Sequence, residues 1–273
     1  VAVNPPSLTI APGETANFDV TVTFDDGPLD LWRFGSVTWV SADHSVRSTL
    51  AVKPVTLTAP FDLGDFFGAA GTQPFDVEFG YAGMYNARVH GLNAPQIQLG
   101  FVDNDPTRTF TFRNGNGVTQ HRFDVAPGQL FLRFALFDRF TDGNDDLDMF
   151  VFFCGTDNTN CVEIGQSGEF TSEEEFNFFR PPAGVYGVLI HGFQTDEVAG
   201  GPGSNYELFG WSLGEIDDPG NMTVSGPAIV APGLTDTITF DWAGLGPNTI
   251  YLGGISHNTP TGVSAITVFT VEN

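Results

Sequence analysis

The sequence predicts an all-β protein built around a β-sandwich. Short apolar runs recur along the chain, and several of them alternate cleanly, as Phe18, Val20, Val22 and Phe24 do. The 33 glycines and 18 prolines supply the turn residues that such short runs need between them. The best helical candidate, 172–176, is too short to form a stable helix.

The stretch 130–153 predicts the centre of the body. In its first run Leu130, Leu132, Phe134 and Leu136 lie on one side of an alternating pattern. Its second run, 147–153, is almost continuously apolar, as a central sandwich strand would be. We therefore expect a hairpin of two buried strands, with an acidic turn at their junction.

The charge balance restricts the partners that the protein can have. Lys and Arg number 10 against 33 Asp and Glu, which gives a net charge of −23, and Lys53 is the one lysine. Such a surface repels nucleic acid and anionic membranes, so we expect neither as a partner. No run reaches transmembrane length and no basic, apolar leader opens the sequence. We expect a secreted protein, in salty or calcium-containing water that screens its self-repulsion.

The two cysteines, Cys154 and Cys161, bracket the polar loop GTDNTN. A disulfide that closes this loop is the leading interpretation, and it implies an oxidising compartment. A redox-active pair would normally have the spacing CxxC, and a zinc site would need two more ligands nearby.

The acidic turn is the best candidate site in the sequence. Its oxygen-bearing side chains alternate, and calcium prefers six to eight such oxygen ligands. The turn begins as an EF-hand loop does, but Leu147 replaces the glycine and Phe153 replaces the final glutamate, so it is not an EF-hand. A calcium site and a solvated acidic turn both remain open for the four alternating residues Asp142, Asn144, Asp146 and Asp148.

The histidines are expected to be structural, because they lack the close spacing of metal ligands in the sequence. A spatial zinc cluster is the alternative. The five histidines are His44, His90, His121, His191 and His257.

The segment FGSVTWVSADHSVRSTLAV resembles the closing hairpin of the fibronectin type III-like domain that follows the catalytic domain in subtilisin-like serine proteases. In that family the domain has further strands before the position of Val1, so the resemblance implies a half domain over 1–53. The sequence predicts four strands there, over 7–10, 16–24, 34–40 and 45–52. The matching residues are Gly35, Ser36, Trp39, Val46, Arg47 and Ser48.

Four ordered blocks resemble the β-sandwich extension of bacterial subtilases, which is related to the pre-peptidase C-terminal domain. The resemblance implies a body over 54–218. Within it the pattern GxYxxxxHG occurs twice, with Tyr85 and His90 and again with Tyr186 and His191. In each copy the His lies five positions after the Tyr, so the two side chains should point to opposite faces of the strand, and the two strands should be equivalent. The blocks are 79–92, 135–152, 184–196 and 205–214.

Residues 219–273 resemble the short immunoglobulin-like tail that follows this extension in the same proteases. The resemblance implies a third unit, with strands expected over 221–225, 236–242, 249–256 and 265–271. The matching residues are Trp242, Gly244, Leu245, Tyr251, Leu252 and Gly253.

The catalytic blocks of the subtilisin-like proteases are absent from this sequence. A serine protease needs a nucleophile, an imidazole base and an orienting carboxylate. The family carries these residues in Asp-Ser-Gly or Asp-Thr-Gly, His-Gly-Thr-His and Gly-Thr-Ser-Met-Ala blocks, none of which occurs here. We therefore expect no catalytic residue and no enzyme activity.

The terminal units suggest how the protein could assemble. Each shows about four strands, whereas an immunoglobulin-like sandwich needs about seven. We expect the two halves to complete each other between chains, which gives a head-to-tail extracellular filament. The alternative is a monomeric accessory region that stabilises or targets a secreted protease or binds an extracellular polymer such as collagen or chitin. The apolar residues expected to be buried by this completion are Phe18, Val20, Val22, Val37 and Trp39 at one end, and Ile238, Phe240, Trp242, Ile266 and Val268 at the other.

Overall fold

A computed structural model of the chain describes residues 1–24, 27–112, 117–196 and 203–273. More of these residues lie in β-strands than outside them, and almost none are helical, so the all-β prediction is confirmed. The one helical element in the described ranges is the 3-10 turn Asp138–Phe140. No helix in these ranges has both the length and the apolar character that crossing a membrane requires.

The amino-terminal unit contains two separate two-stranded sheets in its described residues. In one sheet β1 (Ala2–Asn4) pairs with β2 (Asp19–Thr21), and in the other β3 (Arg33–Val40) pairs with β4 (Ser45–Val52). The prediction of a strand over 7–10 is wrong, because the first strand, β1, lies earlier. Its partner β2 is much shorter than the strand predicted over 16–24. The hairpin expected over 34–40 and 45–52 is confirmed.

The chain then enters a group of five strands, four of which pair with strands far along the sequence. They are β5 (Leu57–Thr58), β6 (Asp62–Phe67), β7 (Gly71–Phe79), β8 (Gly83–Met84) and β9 (Asn86–Asn93).

The next eight strands form the middle sandwich. One sheet has the order β10-β17-β12-β15, and the other has the order β11-β16-β13-β14. Their facing surfaces enclose a core that includes Phe134, Leu147, Met149 and Tyr186. The strands are β10 (Gln96–Asp103), β11 (Val118–Val125), β12 (Gln129–Leu136), β13 (Asp146–Phe153), β14 (Val162–Ser167), β15 (Glu174–Phe179), β16 (Gly184–Gln194) and β17 (Gly203–Gly214).

The hairpin predicted over 130–153 is not formed. Both predicted strands exist, but β12 lies in one sheet and β13 in the other, so the acidic segment between them crosses from sheet to sheet. Each strand is buried and apolar, which the sequence shows, whereas the choice of hydrogen-bonded neighbour depends on residues further along the chain. The partners of β12 are β15 and β17, and those of β13 are β14 and β16.

The last five strands return to the group before the middle sandwich. They form sheets with the orders β18-β20-β7-β5, β6-β22-β21-β9 and β19-β8, so together they complete a second sandwich, which we call the outer sandwich. Its core includes Phe75, Val77, Phe240 and Phe269. The strands are β18 (Met222–Ser225), β19 (Ile229–Val230), β20 (Leu234–Trp242), β21 (Ile250–Thr259) and β22 (Gly262–Glu272).

The outer sandwich differs from the predicted arrangement of a body over 54–218 and an incomplete unit over 219–273. The strand positions expected in the last unit are close to those observed, but residues 57–93 complete it within the same chain. The resemblance to the protease tail lies in one contiguous segment, whereas this sandwich is made from two segments separated by the middle one. The carboxy-terminal apolar residues expected to need a second chain are all buried within this one: Ile238, Phe240, Trp242, Ile266 and Val268.

The two sandwiches pack face to face, so four sheets are stacked in the order β18-β20-β7-β5, β6-β22-β21-β9, β10-β17-β12-β15 and β11-β16-β13-β14. Trp211 and Leu213 of the middle sandwich contact Ile250 and Leu252 of the outer one in a single apolar cluster. The indole nitrogen of Trp211 also donates to the carbonyl oxygen of Ile250 over 3.1 Å. The two sandwiches therefore share a buried apolar interface.

The two copies of the GxYxxxxHG pattern lie in different sandwiches. Tyr85 lies in the core of the outer sandwich and Tyr186 in that of the middle one. Each histidine bonds to groups on the other side of its strand: His90 to Gly214 and Ser256, and His191 to two aspartates. The opposite orientation of Tyr and His is confirmed.

We expect the core of the outer sandwich and the face of the amino-terminal unit to respond differently to the loss of a phenyl ring. The side chain of Phe240 is 0% exposed and that of Phe34 is 80% exposed. Phe240→Ala should therefore lower the free energy of unfolding by about 3–5 kcal/mol. Phe34→Ala, the matched control, should leave it nearly unchanged. Denaturant unfolding measures both, and an equal loss in the two variants would contradict the burial described here.

Candidate functional site

The acidic turn connects β12 to β13 and lies against the start of β17. Both carboxylate oxygens of Asp142 accept hydrogen bonds from Asn205, over 3.1 Å from the backbone nitrogen and 2.6 Å from the side-chain nitrogen. The backbone nitrogen of Asn144 donates to Asp196 over 3.0 Å. The first two predicted ligands are thus tied to different neighbours.

Asp145 is the buried acid of this turn, and the alternating pattern in the sequence passes over it. Its carboxylate accepts from the backbone nitrogen of Asp196 over 3.0 Å and from the hydroxyl of Ser204 over 2.6 Å. Both oxygens are therefore used to hold the turn against the end of β16 and the start of β17. Its position between two predicted ligands gave no sign of this role.

Asp146 and Asp148 lie on β13 and have different surroundings. Burial, and then the charge of Asp148, raise the pKa of Asp146 above its usual range. One carboxylate oxygen of Asp146 is buried without a hydrogen-bond partner in the described residues. Asp148 instead bonds to the Nδ1 atom of His191 over 3.1 Å.

His191 lies between two carboxylates on the outer surface of the middle sandwich. Its Nε2 atom bonds to Asp105 over 2.9 Å, and Phe110 from the same segment as Asp105 lies against the ring. Burial by itself lowers the pKa of His191, but the bonds to Asp148 and Asp105 outweigh burial and raise it. The hydrogen bond from His191 in turn holds the pKa of Asp105 far below its usual range. The two hydrogen bonds of His191 fasten the segment after β10 onto the sheet.

Three of the four predicted calcium ligands form hydrogen bonds with different neighbours, and the fourth, Asp146, has an unpartnered oxygen. In the described residues no group of three or more His, Cys, Asp or Glu side chains is arranged to hold a metal ion. A calcium ion would have to draw Asp142 from Asn205 and Asp148 from His191, and it would have to reach the buried, unpartnered oxygen of Asp146. Calcium binding at this turn stays a prediction.

Cys154 and Cys161 are joined in a disulfide, as the sequence predicts. Cys154 is buried at the end of β13 in an apolar cluster on the outer surface of the middle sandwich, with Phe152, Val185 and Leu189. The bond closes the polar loop that precedes β14.

Three of the remaining histidines are buried and engaged in hydrogen bonds. His121 bonds to Tyr206 over 2.8 Å, and His257 bonds to Tyr85 and Thr267 over 2.6 and 2.9 Å. Burial lowers the pKa of both His121 and His257 to about 4, so both are neutral near pH 7. His44 is exposed in the turn between β3 and β4, where its backbone contacts Ser41.

His90 forms a hydrogen bond of 2.8 Å with the hydroxyl of Ser256, the residue types of a nucleophile and its base. The other ring nitrogen donates to the carbonyl oxygen of Gly214 and not to a carboxylate. Both side chains are 1% exposed, and Asn258 donates to the same hydroxyl. The pair lacks the orienting acid and the access that nucleophilic attack needs.

The amino-terminal unit leaves large apolar side chains in solvent. Trp32 is 60% exposed and Val46 is also 60% exposed, on the hairpin that carries Phe34. Trp39 packs edge-on against Phe18, with 5.0 Å between ring centroids, and these two rings join the two small sheets. A cleft of about 400 Å³ opens beside them, lined by Leu8, Ile10, Phe18, Trp39, Val40 and Val46.

This unit has a recognisable family. Residues 1–52 match the family model of a fibronectin type-III domain. The match covers the amino-terminal unit alone, and its four strands in the described residues include the β3–β4 hairpin on which the sequence resemblance rested. A search of curated proteins found no match to the chain.

We predict that calcium raises the melting temperature, because an ion that binds the folded state selectively stabilises it. The measurement compares thermal unfolding with chelator and with millimolar calcium. Asp146→Ala should abolish the shift, whereas Asp157→Ala, in the disulfide loop, should retain it. If calcium leaves the melting temperature of the wild-type chain unchanged, the solvated-turn interpretation holds.

We predict that Glu174→Gln stabilises the protein more at pH 8 than at pH 5. Burial raises the pKa of Glu174 to about 7, and one of its carboxylate oxygens has no partner in the described residues. Because the folded state disfavours the charged form, the wild type loses stability as pH rises above the unfolded pKa near 4.5. Glutamine cannot ionise and avoids this loss. Denaturant unfolding at the two pH values is the measurement, and an equal effect at both would disprove the assignment.

Proposed function

We propose that this chain is a non-catalytic, extracellular accessory region of a subtilisin-like serine protease. In this proposal the fibronectin type-III unit accepts complementary strands from another segment, and this pairing attaches the chain to the rest of an assembly. The observation that supports it is the contrast between an open amino-terminal unit and two closed sandwiches in one chain.

The strand content of the unit supports complementation. Its described residues contain four strands in two separate sheets, where an immunoglobulin-like sandwich has about seven strands in two packed sheets. Each two-stranded sheet offers unpaired backbone groups along both of its edges. An added strand would satisfy these groups through main-chain hydrogen bonds.

The apolar surface of the unit supports the same conclusion. Trp32, Phe34 and Val46 are exposed, although burying one large apolar side chain contributes about 1.5–3 kcal/mol. The indole nitrogen of Trp39 is buried and has no acceptor in the described residues. A carbonyl group on an added strand would accept from it.

The link to subtilisin-like proteases rests on the sequence resemblances in all three predicted units. The fibronectin type-III match over 1–52 agrees with the first of them. An extracellular location is supported by the disulfide, which persists in oxidising compartments. The absence of the catalytic sequence blocks and the buried Ser256–His90 pair support a non-catalytic role.

A head-to-tail filament is the second candidate, and the exposed apolar face of the fibronectin type-III unit is the observation that favours it. Its partner cannot be the carboxy-terminal strands in their present arrangement, because β7 and β6 already pair with β20 and β22. A filament would need another surface of the neighbouring copy, or exchange of β18–β22 between chains.

We predict that the chain 1–273 is monomeric and that protease removes the fibronectin type-III unit first. The experiment combines limited proteolysis, sizing and negative-stain microscopy of 1–273 and of 54–273, whose strands pair among themselves. Filaments of 1–273 that are absent from 54–273 would replace the accessory-region proposal with the filament. A monomer whose first 53 residues resist protease as well as the sandwiches do would overturn complementation altogether.

A further inference from the structure

One cleft at the boundary between the two sandwiches is lined by two arginines. The chain has 10 Lys and Arg against 33 Asp and Glu, so two cationic side chains on one small surface are unusual for this protein. Arg88 on β9 and Arg180 after β15 line this cleft of about 300 Å³. We propose that it binds a sugar acid, with the carboxylate held between the two guanidinium groups.

Arg88 has unused hydrogen-bond donors. Within the described ranges its guanidinium group forms no salt bridge and no hydrogen bond, whereas Arg122, Arg133 and Arg139 are each paired with carboxylates at 2.9 Å or less. A guanidinium group presents five donors in a planar fork that matches a carboxylate. Arg88 is exposed and lines the cleft, so these donors are available to an anion there.

Arg180 is held at the rim of the same cleft. It adopts a left-handed backbone conformation, with φ of 53°, and one terminal nitrogen donates to the carbonyl oxygen of Val263 over 3.1 Å. The guanidinium group also lies over the ring of Phe179, 5.1 Å from its centroid. These contacts position the group across the boundary between the sandwiches and leave its other donors for a ligand.

The floor of the cleft adds no charge. Nδ1 of His90 donates to the carbonyl oxygen of Gly214, so Nε2 accepts from the hydroxyl of Ser256. Burial lowers the pKa of His90, which keeps the ring neutral. The positive charge available to a ligand therefore comes from the two arginines.

The other polar groups of the cleft favour a ligand with hydroxyl groups. The side-chain nitrogen of Asn258 donates to Ser256, which leaves its carbonyl oxygen as an acceptor. The carboxylate of Glu215 is a second acceptor in the same lining. Acceptors repel a bare inorganic anion but match sugar hydroxyls, and Leu130, Ile216 and Val263 offer apolar surface to the ring carbons.

The carboxylate of Glu215 also competes with a ligand carboxylate for the two arginines. It lines the cleft with both arginines, yet no salt bridge within 4.0 Å joins it to either of them in the described residues. Its negative charge should weaken the binding of a ligand carboxylate. Removing that charge should therefore strengthen binding, which a merely structural role of the cleft would not predict.

The test uses the full chain at low ionic strength and titrates it by calorimetry with D-glucuronate. D-Glucose serves as the uncharged match, and acetate as the carboxylate without hydroxyls. We expect saturable binding of glucuronate, weaker binding of acetate and no binding of glucose. Arg88→Ala should weaken glucuronate binding by about tenfold to a hundredfold, since hydrogen bonds to charged groups are the strong ones.

Three variants make the result specific. Glu215→Gln should bind glucuronate more tightly than the wild type, and Arg180→Ala should bind it more weakly. Arg122→Ala, which removes an exposed arginine paired with Asp124, should leave binding unchanged. Melting curves identify any variant that fails to fold, and Arg88→Lys, which keeps the charge but loses the fork, should show an intermediate loss.

The source of the sugar acid is distinguished by an oligogalacturonate. Tighter binding of the oligomer than of D-galacturonate, its own monomer, would indicate an acidic polysaccharide, and equal affinity would indicate a single unit. No saturable binding of glucuronate, equal binding of glucuronate and acetate, or an equal loss in Arg122→Ala and Arg88→Ala would each overturn the proposal. None of these results depends on the fibronectin type-III unit, so this proposal and the proposed function can fail separately.

Discussion

The pairing of β20 with β7 is the interaction on which the rest of the structure depends. It runs in continuous register from Leu234 opposite Phe79 to Trp242 opposite Gly71, and it joins residues separated by the whole middle sandwich. Gly71 permits it, because a Cβ atom at that position would collide with the ring of Trp242. Through this pairing the last strands bury their apolar side chains within the chain, and the outer sandwich closes.

Closing the outer sandwich also creates the surface on which the middle sandwich packs. The sheet β6-β22-β21-β9 has one face in its own core and the other against the middle sandwich. Arg133 is buried in this region, where it pairs with Asp62 over 2.5 Å and with Glu175 over 2.9 Å. Burying a charge without a partner is costly, so these two carboxylates are what allow an arginine in the apolar run of β12. The cleft with Arg88 and Arg180 lies along the same boundary.

The distribution of closed and open surfaces connects the fold to function. The two sandwiches bury their apolar cores, and their buried histidines are hydrogen-bonded. The fibronectin type-III unit instead exposes apolar side chains on short sheets. A net charge of −23 opposes non-specific association between copies. The complementation that we propose would combine main-chain pairing with apolar burial.

The sequence by itself determined the features that depend on neighbouring residues. The all-β class, the disulfide, the β3–β4 hairpin and the opposite orientation of Tyr85 and His90 follow from local spacing, and the structure has all of them. Only the tertiary structure decided which strands are neighbours. It separated β12 from β13, completed the last unit with residues 57–93, and brought Asp105 to His191 and Arg88 to Arg180. The physical reason is that a period of two shows which side chains are buried but not what they pack against, because hydrogen-bonded partners in a sheet can lie anywhere along the chain.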